Sequence, residues 1–180
     1  MRITKTVMLL ALIALIGAAC TTAPKTELDR QQLANDASRT LEQFRASDLT
    51  IADHMKNAYA VAVFPTVGKG GMGVGGAWGR GIAYEQGTPV GYCDISQGSI
   101  GFQLGGQAYS EMILFQDKAS FDRFKTGEFA LAAQASAVAA ASGAGANAKY
   151  NNGVMVYTLG ERGLMYEASV GGQKFDYQPM

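Results

Sequence analysis

The stretch that decides the fold is Gly71-Met-Gly-Val-Gly-Gly-Ala-Trp-Gly-Arg-Gly-Ile-Ala-Tyr84. Every odd position in it is glycine or alanine, while most even positions carry a larger side chain. Because a strand sends alternate side chains to opposite faces, one face is almost bare backbone. Glycine weakens a strand unless another layer must approach closely. The alternation therefore predicts a strand from Gly71 to Tyr84 whose bare face is tightly covered.

The sequence on either side of this stretch predicts an α+β domain. Two helices are expected before it, over about 26–46 and 49–57, followed by a buried strand over 59–64 that stops at Pro65. Further strands are expected over 90–95, 99–107, 109–116, 154–159 and 164–170, with a short helix after Asp117. The alanine-rich segment 130–148 fits either a helix or a strand from its propensities. The expected architecture is a strongly coiled antiparallel β-sheet or small barrel-like core, with N-terminal helices and a short inserted helix.

The first 19 residues have the layout of a secretory signal. A basic start, an apolar run from Val7 to Ile16 and small residues lead to Cys20. The run is too short to span a bilayer as a permanent helix. A cysteine at this junction is typical of bacterial lipoproteins, so we expect Cys20 to be acylated. The expected organisation is a lipoprotein signal peptide over 1–19, a tether over 20–30 and one domain over 31–180.

The same signal predicts where the protein resides. An acylated Cys20 followed by Thr21 favours a bacterial outer membrane, with the domain facing the periplasm. However, Ile16 stands one position too far upstream for a standard lipoprotein signal, and cleavage after Ala19 also fits the rule of small residues. The alternative is therefore a soluble periplasmic or secreted protein.

Composition argues against several classes of site. The formal net charge is zero, which disfavours a nucleic-acid-binding module. One histidine and two cysteines are too few for a zinc or iron–sulfur centre, so we expect no metal and no cofactor. The string from Gly68 to Gly73 matches a dinucleotide-binding fingerprint, but the residues after it alternate like a strand instead of opening a helix. Cys93 is expected to be a small buried hydrophobic side chain. A catalytic thiol would need a histidine as its base, and nothing in the sequence places His54, the one histidine, beside it.

Three residues form the candidate site. Lys69 and Arg80 are the only basic residues between Lys56 and Lys118, and Trp78 lies between them. Cations beside an indole ring suit a membrane interface, and glycine amides beside Lys69 could form an anion-binding nest. The sequence therefore predicts lipid contact by Lys69, Trp78 and Arg80. Each feature also has a simpler interpretation. The glycine string beside Lys69 would be a plain turn and Arg80 a surface charge. Trp78 would by default be a core side chain, because a single tryptophan on a bulky face is usually packed.

Several separate motifs resemble the SYLF domain family. They are Ala58–Pro65, Gly68–Gly76, Gly79–Gly81, Gly101–Gln107, Phe121–Phe124 and Ala132–Val138. The resemblance runs in order from about Leu33 to the C-terminus. It implies a non-catalytic lipid-binding module, since eukaryotic members bind phosphoinositides and bacterial members are exported proteins or lipoproteins regarded as lipid-binding. It also implies that the segment from Ala132 to Ala148 is strand.

Three kinds of function are weighed on this basis. We expect a non-catalytic envelope lipoprotein that binds membrane phospholipid through Lys69, Trp78 and Arg80. The alternative is a structural or protein-interaction lipoprotein without a specific lipid ligand. An enzyme is disfavoured because the acidic residues are scattered and no catalytic residues can be assigned. Some eukaryotic relatives bind actin, but actin is an improbable partner for a bacterial envelope protein, and a protein partner stays unknown.

Overall fold

The structure is a computed structural model. It describes residues 22–72, 74–100, 107–127, 130–131, 138–139, 148–160 and 172–180. The predicted signal peptide and Cys20 lie outside the described residues.

Three helices and eight strands are described. The helices are α1 (Glu27–Ser47), α2 (Leu49–Asn57) and α3 (Lys118–Lys125). The strands are β1 (Ala60–Met72), β2 (Val74–Glu85), β3 (Thr88–Ile100), β4 (Gln107–Phe115), β5 (Ala130–Leu131), β6 (Val138–Ala139), β7 (Val154–Gly160) and β8 (Gln173–Pro179). Within the described segments, no helix combines the length and apolarity needed to cross a bilayer.

The strands form one sheet in the order β5-β8-β3-β2-β1-β4-β7-β6. Neighbouring strands pair antiparallel, except that β6 and β7 are parallel. The two edge strands have two residues each, so six antiparallel strands make up the body of the sheet. The predicted α+β class and coiled antiparallel sheet are confirmed, and the sheet formed by the described strands is not closed into a barrel.

The N-terminal helices match their predicted bounds closely. The Thr26 hydroxyl accepts a hydrogen bond from the Asp29 backbone N–H at 3.1 Å, which satisfies a free donor at the start of α1. Leu49, the first residue of α2, is 86% exposed. Ile51 and Met55 are the buried residues of that helix. They are four positions apart and therefore lie on the same side of it.

Pro65 does not end its strand, which corrects the sequence prediction. The register of β1 shifts between Val63 and Thr66, so the proline lies in a β-bulge and β1 continues to Met72. A bulge tolerates proline because the ladder is interrupted there. The Pro65 carbonyl accepts a hydrogen bond from the Ser110 hydroxyl at 2.7 Å.

The glycine-rich stretch forms two strands rather than one. β1 ends at Met72, and β2 returns from Val74, its direct partner in the ladder. Gly73 itself lies outside the described residues. The described part of the dinucleotide-type string, Gly68–Met72, therefore lies at the end of strand β1, and it does not open a helix as a dinucleotide-binding site would. Within β2 the predicted alternation is confirmed, since Ala77 and Ala83 are buried on one face while Trp78 lies on the other.

The face that carries Ala77, Gly79 and Gly81 is named the inner face. It curls around phenylalanine rings, and Phe124 of α3 lies 5.0 Å from Phe115 and 5.4 Å from Phe175 between ring centroids. Phe115 and Phe175 belong to β4 and β8, which three strands separate in the sheet. The curl of the sheet therefore brings distant strands together around one aromatic core.

The inner face is crowded at Gly79 and Gly81, but the closest atoms belong to the adjacent strands β1 and β3 and not to the separate covering layer that was predicted. A Cβ atom on Gly81 would lie 2.3 Å from the Val63 carbonyl oxygen and 2.7 Å from Phe64 Cδ1. At Gly79 it would lie 2.7 Å from the Thr66 carbonyl oxygen. Glycine is required at these positions because neighbouring backbone occupies the space of a side chain.

The opposite face, which carries Trp78, Arg80 and Ile82, is named the helix face. Helices α1 and α2 pack on part of it. One cluster joins Phe44, Ile51, Met55, Met112, Leu114, Ala148, Met155 and Tyr157, and a smaller one joins Ala37, Val63 and Ile82. These contacts cover β4 and β7 and reach β1 and β2 at Val63 and Ile82, whereas Trp78, four residues before Ile82 in β2, is half exposed.

The second half of the chain differs from the prediction in two strands. The break predicted between the strands over 90–95 and 99–107 is wrong, because β3 runs from Thr88 to Ile100. β8 was not predicted, although it pairs with β3 over seven residues. The described parts of segment 130–148 include two short strands, β5 and β6. The strand predicted over 164–170, and most of the one predicted over 99–107, lie outside the described residues. The helix after Asp117 is confirmed, with a capping box between Asp117 and Ser120.

Candidate functional site

Trp78 lies on the open part of the helix face and is 53% exposed. Its direct neighbours across the ladder are Gly68 and Ser96, which offer little side chain for the indole ring to pack against. The core position taken as the default for Trp78 is therefore wrong. A large apolar side chain left half in water is the kind of surface feature that marks a contact site.

Arg80 stacks on this tryptophan. Its guanidinium carbon lies 5.4 Å from the centre of the Trp78 ring, within the range of a cation–π contact. Arg80 Nε also donates to Asp94 Oδ1 at 3.3 Å. Burial raises the pKa of Asp94, and the nearby guanidinium opposes that rise. Trp78 and Arg80 are thus held together as one structural unit.

Lys69 lies on the other side of the sheet. It pairs directly with Ala77, whose side chain is buried in the inner core, while Trp78 pairs with Gly68. Since directly opposed residues share a face, Lys69 belongs to the inner face and Trp78 and Arg80 to the helix face. The structure therefore brings together two of the three predicted site residues and separates Lys69 from them.

The N-terminal segment 22–24 docks beside this unit. Thr22 and Ala23 are 5% and 7% exposed. The Ala23 N–H donates to Gln178 Oε1 at 3.1 Å, and Arg30 Nε donates to the Pro24 carbonyl at 3.0 Å. A small cavity of about 260 Å³ lies between this segment, α1 and the sheet; its lining includes Pro24, Leu33 and Arg80. The described start of the expected tether is therefore packed against the domain.

A larger groove of about 690 Å³ lies near the turn between β2 and β3. Its lining includes Arg45, Lys56 and Tyr84. Arg45 is already paired with Glu42 at 2.5 Å, so its charge is largely compensated. This groove is a second place where an amphiphilic molecule could bind.

A buried polar cluster on the inner face was missed by sequence reasoning. Glu111 lies within β4 and is fully buried. Gln173 Nε2 donates to Glu111 Oε2 at 2.9 Å, which links β8 to β4. Burial raises the pKa of Glu111 to about 7, against the lowering effect of hydrogen bonds from Gln173 and Tyr109. The alternation of Tyr109, Glu111 and Ile113 was the signal that could have located this carboxyl group on the inner face.

Cys93 and His54, the cysteine and histidine of the described residues, lie on opposite faces of the sheet. Cys93 is free and buried, as predicted, and burial raises the pKa of its thiol well above the usual value. His54 contacts the Tyr157 hydroxyl through Nδ1 at 2.7 Å on the helix face, whereas Cys93 lies on the inner face. Across the described segments, no three histidine, cysteine or acidic side chains group together as metal ligands would.

Comparison with known proteins adds the family. Residues 96–178 match the family described as "Ysc84: Las17-binding protein actin regulator". This segment belongs to the Ysc84, or SYLF, domain family. The family resemblance drawn from the sequence motifs is thereby confirmed over residues 96–178, which include the motifs Gly101–Gln107, Phe121–Phe124 and Ala132–Val138.

A bacterial relative agrees with the SYLF assignment. The chain is 40% identical over 72 residues to Beta cell expansion factor A of Aeromonas veronii. The similarity covers 40% of this chain and 28% of the relative, so the chain spans well under half of that protein.

Proposed function

We propose that this SYLF-domain protein is a non-catalytic lipoprotein of a bacterial envelope that binds membrane phospholipid. The observation that carries the proposal is the half-exposed Trp78 ring with Arg80 stacked on it. Tryptophan is enriched at membrane–water interfaces because its ring is apolar and its N–H is polar. Arginine beside it supplies N–H donors with the geometry to bind phosphate oxygens.

The pair is suited to contact, rather than enclose, a lipid. Arg80 bonds Asp94 through Nε, so its terminal N–H groups remain available for a headgroup phosphate. The Asp94 carboxylate offsets part of the Arg80 charge, so apolar contact by Trp78 supplies more of the affinity than electrostatic attraction does. Lys69 belongs to the opposite face, and we therefore narrow the predicted site to Trp78 and Arg80.

Family membership supports a binding role without naming its partner. The description of the family refers to actin regulation, and that property is not carried over, because the signal layout predicts export to a bacterial envelope. A membrane phospholipid is the partner that fits both the expected address and the exposed indole ring. No catalytic group is required by this function.

Acylation of Cys20 is tested separately. We expect metabolic labelling with a fatty-acid probe to mark the wild type and to spare Cys20→Ala, because the cysteine thiol is the expected attachment point. Equal labelling of both proteins would show that the chain is not a Cys20 lipoprotein.

Lipid binding is tested with the unacylated domain and liposomes. The double variant Trp78→Ala/Arg80→Ala is expected to bind roughly tenfold to a hundredfold more weakly, since it removes apolar contact area and one cation near the surface. Lys69→Ala is the matched control, because it removes the same charge from the other face and should leave binding almost unchanged. Flotation at several lipid concentrations measures both, with thermal melts to show that the variants fold.

The outcomes distinguish the sites. Loss of binding in Lys69→Ala but not in the double variant would place the contact on the inner face. Wild-type binding by all variants would move it to the groove lined by Arg45, Lys56 and Tyr84. If the unacylated wild type does not float at all, the structural or protein-interaction lipoprotein becomes the better description.

A further inference from the structure

We propose that segment 22–24 orients the anchored protein, so that Leu28, Trp78 and Arg80 face the bilayer that holds its acyl chains. This surface is named the anchor-side surface. The inference rests on the proposed acylation of Cys20, and it assigns an interaction surface and its partner, the lipid surface beside the anchor.

The first step is the length of chain between the anchor and the domain. Cys20 precedes Thr22 by two residues, and an extended residue spans at most about 3.6 Å. An acylated Cys20 therefore lies within about 7 Å of Thr22. Because Thr22 and Ala23 are buried against the domain and Ala23 is bonded to Gln178, the domain has little freedom to rotate away from the membrane.

The second step is what surrounds this docked segment. Pro24 and Arg80 line the same small cavity, and Arg80 stacks on Trp78. Leu28 follows Pro24 by four residues, in the first turn of α1, and is 73% exposed. Two large exposed apolar side chains are thus linked to the docked segment, Leu28 through the first turn of α1 and Trp78 through Arg80.

The third step is the charge of this surface. Arg80 is paired with Asp94, and Asp36 at the small cavity is paired with Arg39 at 2.8 Å, which leaves Asp29 as the remaining charged residue of the cavity lining. The charges nearly cancel, so the surface has no strong preference for anionic lipid. Insertion of apolar side chains suits a zwitterionic bilayer, and vesicles of phosphatidylcholine are therefore the probe to use.

The structure also provides a matched control position. Leu49 is 86% exposed, but it follows the far end of α1. A helix of 21 residues is about 30 Å long. Leu28 and Leu49 are thus both strongly exposed leucines, one in the first turn of α1 and the other at the start of α2, and only Leu28 lies close to the docked segment 22–24.

The experiment uses the fluorescence of single tryptophans in the acylated protein. Trp78 is the one tryptophan of the chain, so intrinsic emission reports its surroundings directly. Two further proteins, Trp78→Phe/Leu28→Trp and Trp78→Phe/Leu49→Trp, move the reporter to the first turn of α1 and to the first residue of α2. Each is reconstituted in phosphatidylcholine vesicles with and without brominated acyl chains, which quench indole rings that enter the bilayer.

We expect brominated lipid to remove most of the emission from Trp78 and from tryptophan at position 28, and to leave emission from position 49 almost unchanged. Quenching at position 49 equal to that at position 78, or none at positions 28 and 78 in vesicle-bound protein, would overturn the inference. The result is independent of the flotation assay. An unacylated domain that fails to float contradicts lipid binding by the domain, while the quenching pattern still reports which side an acylated protein turns to the membrane.

Discussion

Replacing Gly81 with alanine is expected to lower the free energy of unfolding by about 3 kcal/mol. The added Cβ would lie 2.3 Å from the Val63 carbonyl oxygen and 2.7 Å from the Phe64 ring. The carbonyl belongs to the neighbouring strand and cannot move without disturbing the β1–β2 ladder. For a domain of this size, that loss corresponds to a melting temperature lower by about 6–12 °C.

The matched control is Gly98→Ala in the next strand. A Cβ on Gly98 would meet nothing within 4 Å, so alanine there should leave the melting temperature nearly unchanged. Urea unfolding and thermal melts of the two variants measure the difference. Equal melting of Gly81→Ala, Gly98→Ala and the wild type would show that the inner face is not crowded at Gly81.

This crowding is also the part of the fold that could be predicted best from the sequence. The alternation of glycine and alanine with larger residues from Ala77 to Tyr84 predicts a strand whose small-residue face lies against other backbone. This prediction does not depend on the sequence before or after the strand. The bulge at Pro65 could not be predicted, because proline is compatible with either a strand end or an interrupted ladder. β8 was not predicted because the segment Gln173–Pro179 has few apolar side chains. It forms a strand by pairing with β3, which its own sequence does not indicate.

The site could be predicted only in part, and the reason is the position of one turn. Whether Lys69 and Trp78 share a face depends on which residue is central in the hairpin between them. That residue is next to several other glycines, all able to turn, so the sequence does not specify the register. Pairing of Met72 with Val74 sets Lys69 opposite Ala77 and hence on the inner face.

Trp78 illustrates a second limit. A tryptophan is usually packed, and propensity gives no reason to expect otherwise. Trp78 is exposed because its neighbours in the sheet, Gly68 and Ser96, are small and because α1 and α2 do not cover it. Both causes are features of the tertiary structure.

The stability of the protein is expected to fall as pH rises from about 4.5 to above 7, because of the buried carboxyl group of Glu111. Burial raises its pKa in the folded state from 4.5 to about 7. A raised folded-state pKa contributes stability that is complete below the unfolded-state pKa and is lost as pH passes the folded-state value. The separation of the two values corresponds to about 3 kcal/mol, since each pH unit is worth about 1.4 kcal/mol.

Glu111→Gln isolates this contribution. The amide stays neutral and can still accept the hydrogen bond from Gln173, so we expect the variant to be more stable than the wild type above pH 7 by about 3 kcal/mol. Asp117 and Asp122 have lowered pKa values and change stability in the opposite direction, but they are present in both proteins. The quantity to measure is therefore the difference in unfolding free energy between variant and wild type, from urea titrations across this pH range. A difference that does not change with pH would show that Glu111 titrates alike in the folded and unfolded chain, and that its burial beside Gln173 carries no electrostatic cost.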